Sequence, residues 1–218
     1  MLLILTTTLC LSLSAIIAPA TDTPAANPLF DANGRVVAIV RVKAPWYAFD
    51  FLLSREYRKT IPTYKAVKGL RFKAFSSIET GKGKFFGGIY LWETATDARQ
   101  WFTPAWFADV EKKRGAKPDV VYMPVVADTS FVAAPFAYGP ESEAVTVVIQ
   151  GISPALSRHC LAKQPGLWRT YIVTDPAQTQ GAVLLFASAR EAKSFLATQA
   201  VSRYDWYTTP VLLNNVPE

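Results

Sequence analysis

Hydrophobic positions along the chain switch between two periods, and the switch recurs at a fixed distance. Residues 86–92 are almost continuously apolar, as in a buried strand, and a helical spacing follows from Thr94. The segment 89–102 (IYLWETATDARQWF) aligns without gaps with 183–196 (VLLFASAREAKSFL), 94 residues later. Because these fourteen aligned positions largely keep their chemical character, the pattern predicts one structural unit used twice.

The first half of the chain predicts the order β-α-β-β-α-β. Pro45 ends the first strand, Pro62 weakens the last turn of the first helix, and Pro104 breaks or kinks the second. The predicted elements are strand 36–42, helix 46–64, strands 71–78 and 86–92, a helix from 94 that resumes at 106–114, and strand 120–126. This order is the split βαβ arrangement of ferredoxin-like domains.

The second half predicts the same order with shorter elements. They are strands 144–150, 167–173, 182–186 and 206–213, with helices from 153 and over 188–200. Its second strand, Trp168-Arg169-Thr170-Tyr171, aligns with Phe72-Lys73-Ala74-Phe75 at an offset of 96, which places a two-residue deletion in the following turn.

Each predicted sheet carries helices on one face and leaves the other face apolar, so that face must pack on something. Two such sheets in one chain can pack face to face and close a barrel. We therefore predict an α+β fold of two tandem ferredoxin-like (βαββαβ) units, at 35–128 and 144–213, that form an intramolecular dimeric α+β barrel. Residues 129–143 connect the units, and we expect a monomer with this internal pseudo-dimer.

The amino terminus predicts export. Residues 1–20 carry no charge, and Ala18-Pro19-Ala20 supplies small residues at a possible cleavage site. The positive segment of a typical signal peptide is missing, and a retained membrane anchor is the alternative. We expect a signal peptide at 1–20, a linker at 21–34, a periplasmic or secreted protein, and no stable membrane insertion after cleavage.

The net charge of +6 is unevenly distributed. Residues 21–128 hold 17 Lys and Arg against 11 Asp and Glu, whereas residues 129–218 hold 6 against 6. Either the first half has a solvated basic face, or it attracts an anionic ligand or an anionic envelope surface. The longest basic run is 112–114, so we expect no nucleic-acid partner.

Several kinds of site are excluded by residue type. His159 is the sole histidine, and Cys160 would be the sole cysteine of the cleaved chain. An intramolecular disulfide is then impossible, and a structural metal site lacks ligands. The sequence shows no Ser-His-Asp set, phosphate loop, paired catalytic carboxylates or Cys-His nucleophile, so the catalytic residues stay unassigned.

The segment GLRFKAFSSIETGKGKFFGGIYLWETATDARQWF resembles the YdhR-like branch of the dimeric α+β barrel superfamily, which includes the antibiotic-biosynthesis monooxygenases. The resemblance lies in the Gly-Leu-x-aromatic-Lys strand and in Gly87-Gly88-Ile89-Tyr90-Leu91, which leads into an alanine-containing helix. It covers 35–128 well and 144–213 faintly. It implies a small-molecule pocket between sheet and helices and, for the monooxygenase members, oxidation by O2 without a flavin or metal cofactor.

The haem-degrading relatives give a further comparison. The stretch from Trp92 to Trp101 is similar to theirs, and Trp101 matches a pocket tryptophan. Their axial histidine would fall near Glu111, however, and His159 lies in the other unit. We therefore expect no cofactor.

Five residues are the candidate ligand-binding residues. The period of two puts Lys73 with Phe75 and Tyr90 with Trp92 on shared faces, while Tyr57 and Trp101 face inward from the two helices. Tyrosines, tryptophans and one cation suit a planar, electron-rich aromatic ligand, whose phenolate Lys73 would hold or help form. The alternatives are that the aromatic residues are simply core and that Lys73 is a solvated strand lysine.

These observations leave two functions open. One is a cofactor-independent monooxygenase-like protein that acts on a small aromatic or quinol-type molecule. The other is a non-catalytic exported binding or stress-related protein of the same fold. In both, the working pocket belongs to the first unit, because the second has Leu184, Phe186 and Phe195 in place of Tyr90, Trp92 and Trp101.

Overall fold

A computed structural model describes residues 31–45, 47–130, 143–152, 161, 164–199, 201 and 203–215. The predicted signal peptide, residues 21–30 of the linker, most of the connector, and most of the helix predicted from 153, with His159 and Cys160, lie outside the described residues.

The described residues contain eight strands and four helices with bounds within a few residues of those predicted. The strands are β1 (Val36–Lys43), β2 (Leu70–Thr80), β3 (Gly83–Trp92), β4 (Asp119–Ser130), β5 (Val145–Ile149), β6 (Leu167–Thr174), β7 (Gln180–Phe186) and β8 (Tyr204–Asn214). The helices are α1 (Asp50–Lys65), α2 (Ala95–Trp101), α3 (Pro104–Arg114) and α4 (Ala189–Thr198). None of the described helices is long and apolar enough to span a membrane.

All eight strands form one closed barrel in the order β1-β3-β2-β8-β5-β7-β6-β4. Every neighbouring pair is antiparallel. The first four strands follow the order β4-β1-β3-β2, and the last four repeat it as β8-β5-β7-β6. The predicted closed barrel is therefore confirmed, and its strand order is consistent with two tandem units.

Side chains alternate between the barrel interior and the outer faces beneath the helices. In β3, Ile89 and Leu91 belong to the interior cluster, to which every strand contributes. Tyr90 and Trp92 point the other way and pack in one cluster with Tyr57 of α1 and with Phe102, which follows the end of α2. The candidate binding residues of β2 and β3 therefore lie outside the barrel, between its wall and the helices.

The two halves share a junction at the start of their second strand. Gly69 has a φ of 76° where β2 begins, and a Cβ there would lie 2.4 Å from Cγ of Asp97. Asp97 is held above it because its backbone N–H donates to Thr94 Oγ1, which caps α2. Gly166 has a φ of 68°, and a Cβ there would likewise overlap the carboxylate of Glu191. Left-handed backbone and close approach both require glycine at these two positions.

The strand pairing corrects the predicted alignment of the second strands. Lys73 lies opposite Tyr90, and Thr170 lies opposite Leu184. Since Tyr90 and Leu184 are 94 residues apart, Thr170 is the counterpart of Lys73, at an offset of 97. The predicted offset of 96, which matched Lys73 to Arg169, is wrong by one residue. A slip of one residue along a strand moves every side chain to the opposite face.

The prolines act differently in the two regions. Pro104 starts a new helix at its first turn, capped by Thr103, so the predicted break is confirmed. Pro62 does not end α1, which continues to Lys65. The amide of Asn215 donates to the Tyr64 carbonyl at 3.1 Å and supports this last turn.

We expect Gly87→Ala to destabilise the protein by about 2–4 kcal/mol. A Cβ at this position would lie 2.2 Å from the Val40 carbonyl oxygen on the paired strand, which leaves no room for even a methyl group. The matched control is Gly81→Ala in the β2–β3 turn, where a Cβ meets no atom within 4 Å. Urea denaturation of both variants measures the difference, and equal effects would contradict this account.

Candidate functional site

A pocket of about 450 Å³ lies between β1–β3 and the helices α1 and α3, and we name it pocket A. Its buried floor is formed by Lys73, Phe75 and Tyr90. Its exposed rim includes Tyr47 and Arg114. The remaining lining residues are Val40, Val42, Pro45, Ala48, Leu52, Leu53, Glu56, Tyr57, Thr60, Tyr64, Phe86, Gly87, Trp106 and Val110. A mostly apolar concave site with a few polar groups is the usual form of a small-molecule site.

Lys73 is the central polar group of the floor. Its side chain is only 2% exposed, so the alternative of a solvated strand lysine is wrong. Its Nζ lies 3.1 Å from the ring centroid of Tyr64, 4.0 Å from that of Phe75 and 4.3 Å from that of Tyr90. The absence of a side chain at Gly88 makes room for the aliphatic part of Lys73, because a Cβ there would lie only 3.1 Å from Lys73 Cε.

No ion pair or hydrogen bond of the Lys73 amine is found among the described residues. Burial therefore lowers the pKa of Lys73 well below its ordinary value of 10.5. The faces of the three aromatic rings favour the protonated form and offset part of this effect. The Lys73 amine therefore gives up its proton at a lower pH than a surface lysine does.

The tyrosines around the lysine are weak acids held in their neutral form. The Tyr57 hydroxyl donates to the Ser76 carbonyl at 2.9 Å, and the hydroxyls of Tyr64 and Tyr90 are 3.4 Å apart. Burial raises the pKa of all three tyrosines. Pocket A therefore combines one basic nitrogen with phenol groups that stay protonated.

The structure brings three of the five candidate residues together and places the other two elsewhere. Tyr57, Lys73 and Tyr90 line pocket A. Trp92 and Trp101 instead line a neighbouring cleft of about 410 Å³, cleft B, between the end of α1 and α2. The rings of the two tryptophans contact each other, with centroids 6.4 Å apart and planes inclined by 40°. Trp92 is fully buried, which agrees with the alternative that it is core.

Sequence reasoning missed Tyr64, which forms the closest contact with Lys73. From the sequence, no role was assigned to Tyr64, the last residue of the helix predicted over 46–64. The available signal was spacing, because Tyr64 follows Tyr57 by two helical turns and therefore lies on the same face. The ring of Tyr64 also contacts those of Phe75 and Trp101.

The second half lacks the same combination of side chains. Thr170 and Leu184 occupy the positions that correspond to Lys73 and Tyr90. The Thr170 hydroxyl is buried and has no hydrogen-bond partner among the described residues. Among those residues, no cluster of three or more His, Cys, Asp and Glu side chains could hold a metal ion.

Solved structures of other proteins have a similar fold. A protein from Fusobacterium nucleatum, named "putative monooxygenase", superposes with a TM-score of 0.59 at 8% identity, over 85% of this chain and 96% of its own. A protein of the same name from Lactobacillus acidophilus has a TM-score of 0.53 at 11% identity, over 84% and 97%. At these identities the likeness shows a shared fold alone. No protein-family model and no curated protein matches the chain.

We expect Lys73→Met to stabilise the protein by about 1–3 kcal/mol, because it replaces an unpaired buried amine with an apolar side chain of similar length. Urea denaturation at neutral pH measures the free energy of unfolding. A loss of stability would contradict the account, since it would mean that the aromatic rings more than offset the cost of burying the amine.

The stabilisation by Lys73→Met should shrink as the pH rises through the lowered pKa of the folded protein toward the ordinary value of 10.5. The lysine of the unfolded chain stays protonated up to its ordinary pKa of 10.5, whereas burial lowers the folded pKa well below that value. Between the two pKa values the unfolded state binds more protons, so the stability of the unsubstituted protein rises with pH. Denaturation curves of both proteins at matched pH measure the gap, and a constant gap would contradict the lowered pKa.

Proposed function

We propose that pocket A binds a small, planar aromatic molecule with an acidic hydroxyl, of the phenol or quinol type. The observation that carries this proposal is the Lys73 amine, which is buried without an ion pair at the floor of an aromatic pocket. A ligand hydroxyl that reaches this amine can give up its proton to it, which produces a phenolate beside a protonated lysine. The phenolate then supplies the negative charge opposite Lys73 that no described protein side chain supplies.

Size and wall chemistry support an aromatic ligand. About 450 Å³ accommodates one or two fused rings, and Phe75, Tyr90 and Trp106 supply aromatic faces for them. Raised pKa values keep the hydroxyls of Tyr64 and Tyr90 protonated, so they can donate to a ligand oxygen and do not repel it.

We further propose that the bound phenolate is oxidised by O2 without a bound cofactor, as the monooxygenase-like fold suggests. For a phenol with a free ring C–H para to its hydroxyl, the reaction consumes one O2 and yields a quinone and one water. One oxygen atom becomes the new carbonyl, and the other leaves as water with the hydroxyl and ring hydrogens. Lys73 accepts the hydroxyl proton and later passes it to the departing oxygen.

The proposal includes the organisation and location of the protein. Two tandem ferredoxin-like units, at 35–128 and 144–213, place the working pocket in the first unit and leave the second mainly as its packing partner. The shared strand order and the shared glycine junctions at Gly69 and Gly166 support this organisation.

Export rests on the uncharged segment at 1–20. A binding protein without turnover is the alternative function.

The proposed function predicts saturable binding and O2 consumption with phenols or quinols. Lys73→Met should weaken binding of an acidic phenol by about tenfold or more, because it removes the counter-charge of the phenolate. Binding of the methyl ether of the same phenol should change little. Intrinsic tryptophan fluorescence follows binding, and an oxygen electrode follows turnover.

The matched control for this experiment is Thr170→Val, at the counterpart of Lys73 in the second half, and Tyr90→Leu tests the first pocket independently. We expect Thr170→Val to leave binding unchanged and Tyr90→Leu to reduce it. Binding without O2 consumption would favour the non-catalytic alternative. Loss of binding in Thr170→Val alone would overturn the assignment to pocket A.

A further inference from the structure

Large aromatic side chains are exposed in the segment that enters α1. Tyr47, Phe49 and Phe51 are 53%, 55% and 70% exposed, and we name these three residues the aromatic patch. The rings of Phe49 and Phe51 stack on one another with centroids 6.1 Å apart and planes within 9°. Single exposed apolar residues are ordinary, but a cluster of large ones marks an interaction surface.

Basic side chains surround the aromatic patch. Lys84 reaches Asp50 at 2.6 Å, which places it at the first turn of α1. Lys43 is exposed at the adjacent end of β1, and Arg55 is exposed one turn further along α1. Arg114 is exposed at the rim of pocket A, with its guanidinium 5.2 Å from the centre of the Phe86 ring.

The acidic residues of the segment 41–59 are paired with lysines. Between residues 41 and 59 the acids are Asp50 and Glu56. Asp50 pairs with Lys84, and Glu56 pairs with Lys59 at 2.7 Å. The segment 41–59, which carries the aromatic patch, therefore has a net positive charge and suits a partner that is apolar beneath an anionic layer.

The aromatic patch adjoins the entrance of pocket A. Tyr47 belongs to both, since it lines the pocket and is half exposed. A surface that rests on this patch would therefore lie against the rim of the pocket, and a poorly soluble aromatic compound could pass between them without crossing water.

We propose that the aromatic patch and its flanking cations dock the protein on an anionic lipid bilayer, with pocket A opening at the membrane surface. Phe49 and Phe51 enter the headgroup region, and Lys43, Arg55 and Arg114 contact lipid phosphates. Exposed aromatic side chains and interfacial cations are the two features by which peripheral proteins bind anionic membranes. Membrane docking does not depend on the chemistry of pocket A, so it can be tested independently of the proposed function.

The test is co-sedimentation with vesicles of phosphatidylcholine that contain about 30 mol % phosphatidylglycerol, or none. We expect about tenfold stronger binding to the anionic vesicles, and loss of that binding as salt rises from about 50 to about 500 mM. Binding should fall by about tenfold in Phe49→Ser/Phe51→Ser and in Arg55→Ser/Arg114→Ser. The matched control is Tyr204→Ser, an exposed aromatic of the other half, which should bind as before.

A second measurement reports insertion directly. In Phe51→Trp, fluorescence should shift to the blue on anionic vesicles and be quenched by lipids brominated near the headgroup, whereas Tyr204→Trp should show neither change. The proposal would be overturned by equal binding to both vesicle types or by absence of vesicle binding. It would also be overturned if the fluorescence of Phe51→Trp neither shifted nor was quenched on anionic vesicles. A dimer in sedimentation-velocity experiments that Phe49→Ser/Phe51→Ser abolishes would overturn it as well, because the patch would then bind a second copy of the chain.

Discussion

The structure depends on closure of the barrel at two seams, where β2 pairs with β8 and β4 pairs with β6. Each four-stranded sheet alone would expose two strand edges and an apolar face. At the first seam the hydroxyls of Ser76 and Thr209 are 3.1 Å apart, and Thr146 extends this buried contact at 2.9 Å. The carbonyl of Ser76 also accepts the hydrogen bond of Tyr57. The wall of pocket A is thus anchored to the strand pairing that joins the halves.

The sequence predicts the fold better than the site because the two depend on different information. Strand and helix periods identified almost every described element. The alternation along β2 and β3 put Lys73 with Phe75 and Tyr90 with Trp92 on shared faces, which in the structure lie beneath the helices. Whether two residues on one face share a cavity depends on helix position, which periodicity does not give. For this reason the sequence did not show that Trp92 and Trp101 line cleft B, or that Tyr64 lines pocket A beside Lys73. The alignment slip at β6 arose because a chemical motif matched one residue away from the true pairing.

Pocket A combines features that a protein core normally avoids. An unpaired lysine beneath three aromatic rings lowers the stability of the folded state, and Gly88 is needed to make room for its stem. The large barrel interior, filled by apolar side chains from all eight strands, provides the stability against which this cost is set. Such an arrangement suits a site whose polar group must meet a ligand.

The single-chain form of the barrel has a consequence for symmetry. A barrel made from two identical subunits would carry any buried lysine twice, and its destabilising effect would be doubled. Here the counterpart of Lys73 is Thr170, so one half carries the destabilising buried lysine and the other half does not. Covalent linkage therefore relaxes the rule that both halves must change together, and each half can follow its own path of substitution.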